Sequence, residues 1–105
     1  MKADSKKHDL TAIIYDKKGR VLSIGKNNYV KTHPMQKEYA TKVGEPYKEF
    51  LHAEISAIIK CKNLNRAHKI SVFRFNRNGK PALAKPCNVC MSAIGASGIK
   101  KIVHT

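Results

Sequence analysis

The segment KPCNVCMSAI, Lys85 to Ile94, holds two of the three cysteines of the chain. Cysteines three residues apart suit a redox dithiol, part of a structural zinc site or part of a catalytic one. Cys87, Cys90, Met91 and Ile94 recur at helical spacing, so a helix is expected to start at the cysteines and end around Gly95 to Gly98. In its first turn, residues i and i+3 put their sulfurs on neighbouring positions of one face. A helix N-terminus favours the thiolate, which is the form that binds zinc. Pro86, just before, suits the approach to a first turn.

Zinc needs further ligands, and the segment FLHAEISAIIKCK offers them. It reads as a helix starting near Phe50, with Leu51, Ile55, Ile58, Ile59 and Lys62 on the helical spacing. Cys61 lies roughly 13 Å beyond His52 at about 1.5 Å of rise per residue, too far to share a metal with it. It is read as a buried helix residue. With both helix starts at the carboxyl edge of one sheet, where sites collect, the ligand set becomes His52, Cys87 and Cys90. Three protein ligands and an open fourth place for water is the pattern of catalytic zinc. Glu54 completes it: at a first turn, His52 and Glu54 can project towards one point, and a carboxylate there takes a proton from water and hands it on. The spacing excludes the metalloprotease motif with two histidines four apart. A redox dithiol, or a closed zinc site with a fourth ligand from His8, His33, His68 or His104, stays open, but neither gives Glu54 a task.

The elements that must position these residues follow from pattern. LTAIIYDKKGRVLSIGKN reads as a hairpin, with strands over Leu10 to Tyr15 and Val21 to Lys26 and Gly19 in the turn. Pro34 to Val43 reads as a short helix, with Met35, Tyr39 and Val43 at four-residue steps and Gly44 as its stop. It either packs over the sheet or forms a lid bearing Lys37 and Lys42. Lys69 to Asn76 is a third strand, RNGKP a turn, ALAK a short extended piece, and IKKIVHT a last strand. The expectation is one α/β domain over residues 1–105, with residues 1–8 as a flexible basic tail.

The 105 residues leave room for one core, and an apolar share of 42% excludes a disordered basic tail as the whole chain. Lysine and arginine total 21 against 7 acidic residues, a net charge of +14 that attracts phosphates. The cations run from Lys2 to Lys101, which suits either a solvated basic surface or a polynucleotide track. No apolar run reaches the roughly 20 residues of a membrane span, so no membrane partner is expected. The start has no apolar stretch of a secretory signal, and three cysteines make no disulfide framework; a cytoplasmic setting is expected.

HAE at 52–54 followed by PCNVC at 86–90 resembles the zinc-dependent cytidine and deoxycytidylate deaminase superfamily, whose signature is H-x-E…P-C-x-x-C. HAEISAI is similar to the first catalytic helix of that family, and SIGKN to its G-x-N strand end. The resemblance implies a small member with an α-β-α sandwich around a single mixed sheet of four to five strands. It implies a Zn2+ cofactor on His52, Cys87 and Cys90, and hydrolytic attack at C4 of cytosine, or C6 of adenine. Glu54 would shuttle protons and ammonia would leave. It further implies that the Ala53 backbone meets the base edge and that Asn27, or the adjacent Asn28, contacts the sugar.

His52 as ligand resembles the deoxycytidylate branch; free cytidine deaminases more often carry cysteine there. The expected substrate is a free cytosine nucleoside or nucleotide. A base in single-stranded DNA or RNA is the alternative, and a non-catalytic zinc-fold binding protein the second alternative. Tyr29 and Tyr47 either stack on a base or pack at the surface. The chain departs from larger members by stopping at the family's fourth strand and by inserting RNGKPALAK before the cysteines. The last sheet edge is then either covered by another subunit, as a homo-oligomer, or open to a long substrate.

Overall fold

A computed structural model describes residues 10–28, 32–48, 50–76 and 78–105. The expected tail over residues 1–8, with His8, and the expected stacking residue Tyr29 lie outside them. The hairpin forms as patterned: β1 (Thr11–Tyr15) pairs antiparallel with β2 (Val21–Lys26), and the register shifts by a bulge between Ile14 and Tyr15. Gly19 takes φ +86° in the turn, a left-handed value that only glycine adopts without strain. Asp16 organises that turn, its Oδ1 accepting the backbone N–H groups of Lys18 and Arg20 at 2.9 Å.

β3 (Lys69–Phe75) pairs antiparallel with the other side of β1. Its far edge is shared. β5 (Lys101–His104) runs parallel along Lys69 to Val72, and β4 (Pro81–Ala82) pairs antiparallel with Arg74 and Phe75. Of the ALAK piece only Ala82 lies in a strand, joined by Pro81 from the expected turn, and the sheet is mixed with five strands.

Three helices complete the fold: α1 (Pro34–Lys42), α2 (Ala53–Lys60) and α3 (Asn88–Ser97). α2 packs across β2 and β1, α3 against α2, and α1 against α3. Beneath them Ala12, Ile14, Ile70 and Val72 are fully buried, whereas Ile24 and Val103 remain 49% and 42% exposed. The alternation of the strands therefore directs the core to one face. Among the described residues no helix is long and apolar enough to cross a membrane.

α2 is buried on all sides from Ala53 to Ile58, as its almost continuous apolar run requires. It sits unusually close to β2. A Cβ on Gly25 would stand 2.2 Å from the backbone nitrogen of Ala57 and 2.4 Å from the carbonyl oxygen of Ala53. Glycine is required there because main chain meets main chain. Ser23 adds a hydrogen bond from its hydroxyl to the Ala57 carbonyl at 2.8 Å.

Two expectations shift. α2 starts after His52, which is its N-cap, and ends before Cys61, which turns out of the helix at ψ 108°. Lys62 consequently lies in a turn rather than on the helical face. In α1 the fully buried positions are Gln36 and Ala40, with Met35, Tyr39 and Val43 only half-buried. The buried stripe is rotated by one residue, and Gln36 there reaches backbone partners at Lys48 and His52.

Candidate metal centre and pocket

Two helix starts converge on one point. His52 is the N-cap of α2 and Cys87 the N-cap of α3, both in extended backbone conformation, with Cys90 in the first turn of α3. The His52 Nδ1 lies 3.3 Å from the Cys90 Sγ and 3.5 Å from the Cys87 Sγ. All three donor atoms fall within 4.8 Å of one another, the only such group of three among the described residues. Zinc bonds of about 2.1 Å to nitrogen and about 2.3 Å to sulfur at a tetrahedral angle set donors about 3.6 Å apart. One imidazole and two thiols at these separations therefore fit a zinc ion and leave its fourth position free.

The electrostatics favour a deprotonated ligand. The Cys87 thiol is pulled down to about 3, chiefly by its hydrogen bond with Cys90, against the cost of burial and with His52 assisting. The Cys90 thiol is pushed well above its ordinary value by the same shared hydrogen bond and by burial. A metal ion held there would take the place of the proton that the two sulfurs share. The Lys48 ammonium, paired with Glu45 at 3.0 Å, adds positive potential towards Cys87.

Glu54 is 4% exposed, and burial pushes its carboxyl above the usual carboxylate range, partly opposed by its own backbone amide and by His52. It shares a pocket of about 240 Å³ with His52, Cys87, Ala53, Asn27 and Asn28. His52 and Glu54 thus both line one cavity. Asn27 and Asn28 both line it as well. The Asn27 Oδ1 accepts from the Leu10 N–H at 3.1 Å, while the Asn28 N–H donates to the Leu51 carbonyl at 2.8 Å. The pocket lies at the carboxyl ends of β2 and β3, beside the start of β1.

The alternative ligands are elsewhere. The His33 Nδ1 caps α1 by accepting from the Met35 N–H at 3.0 Å, and His104 is exposed on β5. His68 stands at the opposite end of the sheet, its N–H bonded to the Tyr15 carbonyl at 2.8 Å. Cys61 is buried and away from the cluster, as expected. Phe73 meets Phe75 edge-on at 6.1 Å rather than a ligand site, and Tyr47 donates its hydroxyl to Glu45 at 3.0 Å.

Three residues at or beside the site were not singled out as site residues in the sequence. Gln36 of α1, 0% exposed, donates from Nε2 to the Lys48 carbonyl at 2.7 Å and accepts the His52 N–H on Oε1 at 3.1 Å. It fastens the backbone of a metal-ligand candidate to the neighbouring helix. A polar residue on the buried stripe of a short helix was the available clue. Leu51 and Lys85 line the pocket from irregular segments, Lys85 with no periodicity to mark it and Leu51 counted on the helical spacing of α2, which starts only after His52.

Among curated proteins none matches the sequence. A sequence-family profile does match, over residues 1–105, and it describes the cytidine and deoxycytidylate deaminase zinc-binding region. With the His-Cys-Cys cluster and the mixed five-stranded sheet in place, the chain belongs to the cytidine and deoxycytidylate deaminase family.

Proposed function

We propose that this protein hydrolytically deaminates the cytosine base of a nucleoside or nucleotide. The observation that carries the reading is the buried Glu54 in the same small pocket as His52 and Cys87, two of the three converging donors that could hold zinc. A redox dithiol needs no such acid, and a structural zinc closes its fourth position. Zinc, which His52, Cys87 and Cys90 would hold, would supply a water acidic enough to ionise near neutral pH.

The protein's own groups do the rest. Glu54 accepts a proton from the attacking water and passes it to the ring nitrogen beside the reacting carbon. It then takes the remaining proton of the attacking oxygen and delivers it to the amino group, so that the C4–N bond breaks as the C4=O double bond forms and ammonia departs. Low solvent access at Glu54 keeps its carboxyl basic enough to receive a proton and acidic enough to return it. The Ala53 backbone at the pocket wall meets the base edge, and Asn27 or Asn28 holds the sugar.

A base within a single strand is the second reading, favoured by the net charge of +14. The test is a panel of cytidine, deoxycytidine, their monophosphates, and single-stranded DNA and RNA, incubated with the zinc-loaded protein. Ammonia and uracil are measured beside Glu54→Ala. Turnover of a free nucleoside or nucleotide that Glu54→Ala abolishes supports the reading. Turnover confined to oligonucleotides selects the second, and unchanged turnover in Glu54→Ala sinks both.

A further inference from the structure

At the end of the sheet opposite the pocket, a second and larger cleft of about 400 Å³ is lined by five cations, Lys17, Lys18, Arg20, Arg66 and Lys100, against one carboxylate, Asp16. The length of β1 separates the two cavities, about 15 Å at roughly 3.4 Å per residue. The cations come from three segments: the β1–β2 turn, the single helical turn at Leu64–Arg66, and the approach to β5. The His68 carbonyl accepts from the N–H groups of Lys100 and Lys101 at 3.0 Å, which fixes one wall against β3.

Asp16 does not offset this charge so much as arrange it. It is 5% exposed, and backbone and side-chain hydrogen bonds from Arg20 lead in holding its carboxyl below the usual range. Its Oδ2 receives the Arg20 Nε at 2.9 Å and lies 3.9 Å from an Arg66 Nη. One buried carboxylate thereby draws two guanidiniums to the cleft, while their side chains stay 61% and 52% exposed. Lys17, Lys18 and Lys100 are exposed, and none has an acidic partner among the described residues.

We propose that this cleft is a binding site for the phosphodiester backbone of a nucleic acid. A single small phosphate is best held by converging backbone N–H groups. Here the turn amides of Lys18 and Arg20 are already committed to Asp16. What remains is a set of long cationic side chains around an open cleft, which suits a repeating charge bound with counterion release. The net charge of +14 adds a long-range attraction for such a polyanion. The inference stands apart from the deaminase reading, since it requires no chemistry at the zinc pocket.

The test is fluorescence anisotropy of labelled oligonucleotides with the zinc-loaded protein across a salt series. Single-stranded and duplex DNA and RNA form the separate arms that identify the backbone. Binding in any arm should fall linearly with salt on logarithmic axes. K17Q/K18Q/K100Q should flatten the slope by about 2 for a single strand, three contacts at about 0.7 each, and weaken binding about tenfold at low salt. K37Q/K42Q/K62Q, which removes equal charge elsewhere, should leave the slope within about 0.5 of the parent. K100Q alone provides a milder variant and should flatten it by about 0.7. Circular dichroism and zinc content confirm the fold of each, and Glu54→Ala should bind as the parent does. Absence of binding in every arm overturns the site. So does an equal loss in the two triple variants, or displacement of the strand by anionic vesicles at matched phosphate.

Discussion

Replacing Gln36 by leucine tests whether α1 positions the metal ligand or merely covers it. The substitution removes two hydrogen bonds at once, from Nε2 to the Lys48 carbonyl and from the His52 N–H to Oε1. Each backbone group left without a partner costs about 1–3 kcal/mol when buried. Lys48 and His52 are only half-buried, so water recovers part of this, and leucine restores some apolar contact. The net loss is about 2–3 kcal/mol, or a fall in Tm on the order of 10–20 °C for a domain of this size. Because the lost bond also sets the backbone of His52, zinc affinity should drop about tenfold, in line with the support that ligands receive from their neighbours. The loss should therefore be larger by about 1.4 kcal/mol in the zinc-loaded protein than in the zinc-free one. Thermal melts of both forms, with zinc affinity from competition with a chromophoric chelator, read all three quantities. Equal destabilisation of the two forms with unchanged zinc affinity would refute positioning and leave Gln36 a core residue only.

The other expectations are simpler to test. Gly25→Ala forces a Cβ into the backbone of α2 and should cost about 3 kcal/mol or prevent folding, seen as a lower midpoint in urea. Chelation of zinc should lower Tm, and cobalt substitution should produce a thiolate charge-transfer band that Cys87→Ser diminishes. Asp16 has a folded-state pKa below its ordinary value, so its stabilisation is complete above about pH 4 and disappears as pH falls through the folded value. Asp16→Asn should therefore melt lower than the parent at pH 7, with the gap closing in acid. Glu54→Gln should retain zinc, by elemental analysis, while losing ammonia release by at least about a hundredfold.

Much of the candidate site was legible because its chemistry sits on helix first turns. His52, Glu54, Cys87 and Cys90 are close in sequence pairs, and a helix start fixes where neighbouring side chains go. The hairpin and β3 were equally plain from β-branched runs. The elements that depend on tertiary contact were less so. Met35, Tyr39 and Val43 form the better apolar stripe in sequence, yet Gln36 takes the buried place, because two backbone groups from other segments need a partner there. Cys61 fits the helical pattern, but α2 ends before it, its N–H bonding the Ile58 carbonyl as the chain turns away. Lys85 enters the pocket only because α3 packs on α2, which no local pattern encodes.

The seam at Gly25 divides the protein into parts that can change and parts that cannot. Where β2 and α2 touch at Gly25, main chain meets main chain, and this close approach fixes the height of Glu54 above the sheet. Substitution along that seam can break the arrangement but cannot tune it. Leu10, Asn28, Leu51 and Lys85, by contrast, reach the same pocket from irregular segments that bear no such constraint. Over evolutionary time the choice of substrate can wander through those four positions while the position of the acid stays put.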